Sequence, residues 1–202
     1  YNGIYWKDWA KLPDKTKFRE KFPEVSDKFI IFAGRLATNK GIPDLIEAVS
    51  IEGSQRFDLV VMGADMGLGN ELDKLAVSKN IKMHRIGHVD DEIYRSALST
   101  AEVLVLPSEY EAFGIVLLEA AAAQTPVVAA RVGGVPEAMS EENNGLLVDY
   151  NDPENLSKAI FTILEDDNLS KEMATFGRSF AKGFSWSNIV NMLEKEYNLL
   201  LA

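Results

Sequence analysis

The chain has 202 residues, of which 47% are hydrophobic and 26% charged, a composition typical of a globular protein. Its formal net charge of −10 argues against a general surface for nucleic acid or anionic membranes. The absence of cysteine excludes disulfide scaffolds, thiolate metal sites and cysteine nucleophiles. The first residue is Tyr1 and no signal-peptide pattern follows it, so we expect the chain to be a piece of a longer protein.

Short apolar runs alternate with longer helical patterns after a polar, aromatic opening. The predicted strands are 29–33, 59–62, 81–86, 103–106, 127–130 and 146–148. The predicted helices are 44–50, 71–79, one that opens at 90–92, 115–124, 153–166, 169–182 and 186–201. Strands that are almost wholly apolar are typical of a parallel sheet covered on both faces. The sequence therefore predicts one α/β domain, with a Rossmann-like parallel sheet and helices on both faces.

Two cations follow the first predicted strand, at the sheet edge where parallel α/β domains bind ligands. Arg35 offers a planar fork for phosphate oxygens, and Lys40 adds a compact positive charge. In a chain with a net charge of −10, this pair indicates a diphosphate site. The alternative interpretation is two solvated surface cations.

The helix predicted over 115–124 carries one charged residue, Glu119, on an otherwise apolar face. A buried carboxylate needs hydrogen-bond donors, and the two hydroxyls of a ribose would supply them. The alternative is a glutamate that reaches solvent or meets an arginine. Gly114, at the predicted helix start, lets backbone N–H groups approach an anion. Glu111, taken alone, is better explained as an acid favoured by the helix dipole.

Other chemistries find little support in the sequence. The two histidines, His84 and His88, are too few for a three-histidine metal site, so we expect no metal. The glycines over 63–69 fit neither the dinucleotide fingerprint nor the phosphate-binding P-loop, which disfavours a dehydrogenase.

Taken together, several loops match one family in order and spacing. The chain resembles the C-terminal, nucleotide-sugar-binding domain of a retaining GT-B glycosyltransferase of family GT4. The most specific part is Glu111-Ala112-Phe113-Gly114 with Glu119, a Glu-x7-Glu element at a helix start. The other matching segments are Asn2-Gly3-Ile4, Gly34-Arg35-Leu36, Lys40-Gly41, Gly133-Gly134-Val135-Pro136-Glu137, Asn144-Gly145-Leu146-Leu147-Val148 and Phe184-Ser185-Trp186.

The resemblance implies a role for each matching residue. The diphosphate of the donor would be held by two side chains and by backbone amides near the helix start: Arg35, Lys40, Gly114, Ile115 and Val116. Glu119 would bind the ribose, and Glu111 would be the catalytic residue that contacts hydroxyls of the donor sugar. The base would be read along Arg85, Ile86 and Gly87. The resemblance further implies a UDP-, GDP- or ADP-sugar as donor and no metal or other cofactor.

The resemblance also implies a domain arrangement. Residues 1–202 would form a single donor-binding domain, with a linker-like start over 1–25 and a closing helix over 186–202 that leaves Leu199–Leu201 exposed. The N-terminal acceptor domain would be missing, and with it any membrane contact and most of the activity. We expect a cytoplasmic protein that transfers a hexosyl group and binds no nucleic acid. A GT-B sugar-nucleotide epimerase and a non-catalytic nucleotide-sugar-binding module remain alternatives.

Overall fold

The structure is a computed structural model, and it describes residues 2–52 and 56–201. Tyr1 and Ala202, the two ends of the predicted domain, lie outside the described residues. Within the described ranges there are six strands: β1 (Phe29–Ala33), β2 (Asp58–Met62), β3 (Met83–Ile86), β4 (Val103–Leu106), β5 (Val127–Ala130) and β6 (Gly145–Val148). The α-helices there are α1 (Thr16–Lys21), α2 (Ile42–Glu52), α3 (Gly69–Ser78), α4 (Asp91–Thr100), α5 (Ile115–Ala122), α6 (Val135–Ala138), α7 (Pro153–Glu165), α8 (Asp167–Gly183) and α9 (Trp186–Leu201).

The six strands form one parallel sheet in the order β3-β2-β1-β4-β5-β6. Every residue of β1, β2, β4 and β5 is buried, which is why these strands are almost continuously apolar in the sequence. The predicted fold class, a Rossmann-like parallel α/β sheet, is confirmed.

The helices pack as two groups, one on each face of the sheet. Contacts join α2 with α3 and α7, whereas α5 contacts α4 and α8, and α1 contacts α4. This division follows from right-handed crossovers, because the chain builds the sheet outward from β1 to β3 and then returns to add β4 on the other side of β1. The sheet order therefore reverses between β1 and β4, and ligands of such folds bind at that point.

Several element bounds differ from the sequence prediction by one or two residues, and β3 and α1 illustrate local reasons for a difference. Strand β3 starts at Met83 rather than at residue 81, because the Ile81 N–H donates to the Ala76 carbonyl in the turn that ends α3. Helix α1 was not predicted; its Phe18 ring is fully buried against Phe22 and Phe29.

The first residues, predicted to be linker-like, are folded against the rest of the domain. Ile4 exchanges backbone hydrogen bonds with Phe184 and Trp186, at the junction of α8 and α9. The Arg178 guanidinium donates to the Trp9 carbonyl at 2.7 Å. The N-terminal segment therefore packs against α8 and the junction between α8 and α9.

Helix α9 is amphipathic, but among its residues only Ile189 is buried. Leu199, Leu200 and Leu201 are 72%, 82% and 86% exposed, as predicted. Among the helices of the described residues, none is both long and apolar enough to cross a bilayer.

Candidate functional site

The site lies at the carboxyl ends of β1 and β4, where two loops are held together through their backbones. Gly41, with φ +63°, packs so tightly that a Cβ atom there would lie 2.0 Å from the Pro107 carbonyl oxygen. The Glu109 N–H donates to the Asn39 carbonyl at 3.0 Å. These contacts bring a cation of the first loop next to an acid of the second.

That cation and acid are Lys40 and Glu111, which form an ion pair with 2.6 Å between Nζ and Oε1. Their side chains are only 13% and 16% exposed. The Ser108 hydroxyl, fully buried, donates to the same carboxylate oxygen at 3.0 Å. An ammonium group has three N–H donors, so Lys40 can hold Glu111 and still donate to a phosphate oxygen. The interpretation as a solvated surface cation therefore does not describe Lys40, and a simple helix-dipole acid does not describe Glu111. Arg35 is exposed, so for it the solvated-cation alternative stays open.

The N-terminus of α5 is open towards the same edge. Its N-cap residue is Gly114, with φ +84°, and no side chain caps the first N–H groups of the helix. Those N–H groups have no partner within the helix and carry the positive end of its dipole. Gly133 and Gly134 press against this loop from the side, and a Cβ on Gly133 would lie 2.0 Å from the Glu111 carbonyl oxygen. A helix N-terminus of this kind, with N–H groups free of a side-chain cap, is a common place for an anion to bind.

A cleft of about 480 Å³ extends from this edge. Three loops, which follow β1, β2 and β3, and the helices α4 and α5 contribute to it, among other residues with Gly34, Arg35, Gly87, Tyr94, Val116 and Glu119. Arg35 is exposed at this cleft. The residue before it, Gly34, is in close backbone contact with Gly63, where a Cβ atom would lie 2.0 Å from the Gly34 carbonyl oxygen. The cleft thus joins two of the predicted diphosphate residues, Arg35 and Val116, with Glu119 and with one end of the predicted base segment. Lys40 and Gly114 do not line it, and Ile115 lines a second cleft of about 430 Å³.

Glu119 meets a tyrosine rather than an arginine. The Tyr94 hydroxyl, on α4, donates to Glu119 Oε2 at 2.6 Å. Burial raises the pKa of Glu119; the Tyr94 hydrogen bond opposes that rise. Burial and the Glu119 charge raise the pKa of Tyr94 well above 10, so the phenol keeps its proton and remains a donor. The apolar face of α5 therefore holds a carboxylate with one short hydrogen bond and an open cleft beside it.

The predicted base segment borders two clefts: Arg85, Ile86 and Gly87 all line one of about 380 Å³, but only Gly87 reaches the 480 Å³ cleft. Gly87 lines the 480 Å³ cleft together with His88. The Arg85 guanidinium instead donates to Asp73 at 3.0 Å and to Asp65 at 3.1 Å, so its side chain is held over α3. Ile86 is buried, and its carbonyl accepts from the Gly63 N–H at 2.9 Å. A base at this segment would meet backbone groups near Gly87 rather than the Arg85 side chain.

Sequence reasoning missed Ser108 and Tyr94. A signal for Ser108 exists, since a polar residue directly after a buried strand stands at the ligand-binding edge. No pattern in the sequence relates Tyr94 to a carboxylate 25 residues further on. In the part of the chain that the structure describes, no three His, Asp or Glu side chains are grouped so that they could hold a metal ion. That the protein needs no metal stays a prediction.

The fold and these loops belong to a known class of enzymes. Residues 14–180 match the family model described as glycosyl transferases, group 1. Since this match covers most of the chain, the protein belongs to the glycosyl transferase group 1 family.

Individual relatives agree with this assignment. D-inositol 3-phosphate glycosyltransferase of Corynebacterium jeikeium is 35% identical over 185 residues, which are 86% of this chain and 44% of that protein. Sucrose-phosphate synthase from Thermosynechococcus elongatus superposes with a TM-score of 0.85 and 29% identity, over 99% of this chain and 51% of that one. Anabaena Alr3699/HepE in complex with UDP-glucose gives a TM-score of 0.85 at 22% identity, over 98% and 56%. The chain spans about half the length of the curated relatives it matches.

Proposed function

We propose that this chain is the donor-binding domain of a retaining glycosyltransferase of family GT4, which moves a hexosyl group from a nucleoside diphosphate sugar to an acceptor. One observation carries the proposal: an open cleft joins Arg35, the N-terminus of α5 and the partly buried carboxylate of Glu119. A nucleoside diphosphate needs these groups in this order, because its phosphates are anions and its ribose diol donates hydrogen bonds. The HepE structure, solved with UDP-glucose, has the same fold.

In this proposal the leaving diphosphate is stabilised without a metal ion. Arg35, Lys40 and the first N–H groups of α5 surround the position where negative charge develops as the bond between the sugar and the phosphate breaks. The new bond to the acceptor oxygen forms on the same face of the sugar, and the acceptor proton passes to the leaving phosphate oxygen. Glu111, fixed by Lys40 and Ser108, contacts hydroxyls of the donor sugar.

The acceptor is bound, in this proposal, by a second domain. One fact supports it: the curated relatives are about twice as long as this chain. The chain alone would then bind donor and transfer little or no sugar. We propose a cytoplasmic setting, where nucleotide sugars are the donors, with any membrane contact made outside this domain.

The proposal is tested by ligand-induced thermal stabilisation. Wild type, Glu119→Gln and the control Glu172→Gln, on the exposed surface of α8, are melted with UDP-glucose, GDP-mannose and ADP-glucose. A ligand at 100 times its dissociation constant stabilises a protein by roughly 2.7 kcal/mol. We expect one donor to stabilise wild type and Glu172→Gln, and Glu119→Gln to bind it about 1–3 kcal/mol more weakly.

Two results would contradict the proposal. If none of the three donors raises the melting temperature of wild type, the cleft does not bind nucleotide sugars by itself. If a donor binds Glu119→Gln as well as wild type, Glu119 does not hold the ribose.

A further inference from the structure

The contact between Tyr94 and Glu119 joins two helices at the wall of two clefts. Tyr94 is on α4 and Glu119 on α5, and both side chains line the 480 Å³ cleft. Both also line a second cleft of about 430 Å³, together with Trp9, Arg95 and Trp186 among others. A rotation of either side chain would therefore change the shape of both clefts.

A glutamate carboxylate is poorly fixed by its own covalent geometry. Rotation about its last torsion angle meets only broad minima, so an unbound carboxylate turns easily. The 2.6 Å hydrogen bond from the Tyr94 hydroxyl engages Oε2 and restrains that rotation. The ionised carboxylate has about four acceptor positions, and one is used by Tyr94. Enough acceptor positions remain, in a fixed orientation, for the two hydroxyl donors of a vicinal diol.

We propose that Tyr94 is a positioning residue, which orients the Glu119 carboxylate to receive the ribose diol of the donor nucleotide. This inference rests on the proposed function, because it takes Glu119 as the group that binds the ribose. It adds a second residue to the ribose site, and the task that it assigns to this side chain is exerted through Glu119.

The charges around Glu119 add a second consequence. Burial raises the pKa of Glu119, the Tyr94 hydrogen bond lowers it, the nearby Asp91 charge raises it and Arg95 lowers it. The other titratable or charged groups that line the two clefts are Tyr5, Asp8, Arg35 and His88. Protonation of the carboxylate removes part of its capacity to accept from the two hydroxyls, so donor binding weakens as the pH falls through the pKa of Glu119. Without the Tyr94 hydroxyl, that loss moves to higher pH.

The variant Tyr94→Phe tests the proposal, because it keeps the ring and removes only the hydroxyl. Its control is Tyr197→Phe, which removes a hydroxyl that is exposed on α9. Dissociation constants are measured for UDP-glucose and for its 2′-deoxy and 3′-deoxy analogues, or for the matching GDP-mannose or ADP-glucose series if that donor is the one wild type binds. Melting temperatures are recorded for every variant.

We expect Tyr94→Phe to bind the complete donor about tenfold more weakly than wild type. Each deoxy analogue lacks one hydroxyl that would donate to Glu119. Its binding should therefore be weakened by Tyr94→Phe about twofold or less. Equal weakening of the donor and both analogues would overturn the proposal, because a merely structural role of Tyr94 affects all three ligands alike.

A pH series gives an independent readout. Both phosphates of UDP-glucose are esterified, so the ligand itself does not titrate near neutral pH. Measured in the His88→Gln background, which removes the histidine of the cleft, the pH at which binding is half lost should be higher with Tyr94→Phe than without it. An unchanged midpoint would overturn the proposal.

Failure of this inference is distinguishable from failure of the proposed function. If wild type binds UDP-glucose and Glu119→Gln does not, but Tyr94→Phe weakens all ligands equally, the ribose assignment stands and the role of Tyr94 is wrong. If Glu119→Gln binds as tightly as wild type, the ribose assignment is wrong, and the role of Tyr94 with it.

Discussion

The two glutamates of the site, eight positions apart, are held in opposite ways. Glu111 lies on a loop and is neutralised by the Lys40 ammonium at 2.6 Å, with the Ser108 hydroxyl on the same oxygen. Glu119 lies on a helix among apolar residues and receives a neutral phenol, also at 2.6 Å. The hydrogen-bond lengths are equal, but only the first carboxylate has its charge compensated within the pair.

This difference suits the two hydrogen-bonded pairs to different ligands. The Lys40–Glu111 pair presents a cation with unused donors, which is what a phosphate needs. The Tyr94–Glu119 pair presents an uncompensated carboxylate with unused acceptors, which is what a diol needs. Both pairs contain a glutamate, so the partner of each carboxylate, and not the residue type, decides which ligand the pair can bind.

The largest effect is expected at Gly41, whose close backbone contact with Pro107 holds together the two loops that carry Lys40 and Glu111. Gly41→Val places a β-branched side chain at φ +63° and drives its Cβ into the Pro107 carbonyl. We expect the free energy of unfolding to fall by about 3 kcal/mol or more, measured by urea denaturation. Gly183→Ala, where a Cβ meets nothing within 4 Å, serves as control and should change it by less than about 0.5 kcal/mol. A small effect of Gly41→Val would mean that the two loops are not held together by this contact.

A smaller effect is expected from Lys40→Met, which should weaken binding of ligands that carry a diphosphate and leave binding of a nucleoside almost unchanged. The substitution keeps a long apolar stem but removes the ammonium, and it leaves the Glu111 charge uncompensated near the incoming diphosphate. Binding of UDP-glucose should weaken by about 2–3 kcal/mol, while binding of uridine changes little. Calorimetric titration of both ligands, with exposed Lys158→Met on α7 as control, measures the difference. An equal loss for uridine would show that Lys40 acts on the whole cleft and not on the phosphates.

The smallest effect is expected from Glu119→Gln on the free energy of unfolding of the ligand-free protein, which should rise instead of fall. Because burial raises the pKa of Glu119, its carboxyl group binds a proton more tightly in the folded than in the unfolded chain. Its contribution to stability is therefore full below the unfolded pKa and is lost as the pH rises through the folded pKa. Glutamine keeps an acceptor for the Tyr94 hydroxyl without the charge. Glu119→Gln should raise the free energy of unfolding at pH 7 by up to about 1 kcal/mol.

The pH dependence identifies the cause of that gain. The difference between Glu119→Gln and wild type should shrink towards zero in acid, below the unfolded pKa of glutamate, where both side chains are neutral. Thermal melts at a series of pH values measure it. A constant difference at every pH, or a loss of stability at pH 7, would show that the Glu119 charge is not costly in the folded protein.

Much of the fold could be predicted because strands and helices depend on the local pattern of apolar and polar residues. Continuously apolar runs such as 29–33 and 103–106 predicted buried parallel strands, and helical spacing predicted the helices between them. The candidate site residues were chosen for the same reason: Arg35 and Lys40 follow a strand, and Glu119 interrupts an apolar helix face. Their roles in binding stay predictions. Their association with glycosyltransferases came from several motifs in order, and the family match confirms that coarser assignment.

The remaining features were decided only by the tertiary structure. Lys40 meets Glu111 across 71 residues, Tyr94 meets Glu119 across 25, and the Arg85 side chain turns to Asp73 instead of to the cleft. Local periodicity shows which face of an element is buried, but not which other element covers it. That depends on the strand order β3-β2-β1-β4-β5-β6 and on the close approach of loops at Gly41 and Gly133. The sequence by itself thus determined the strands, the helices and the chemical types at the sheet edge, whereas the packing of distant segments decided which of those groups hold one another.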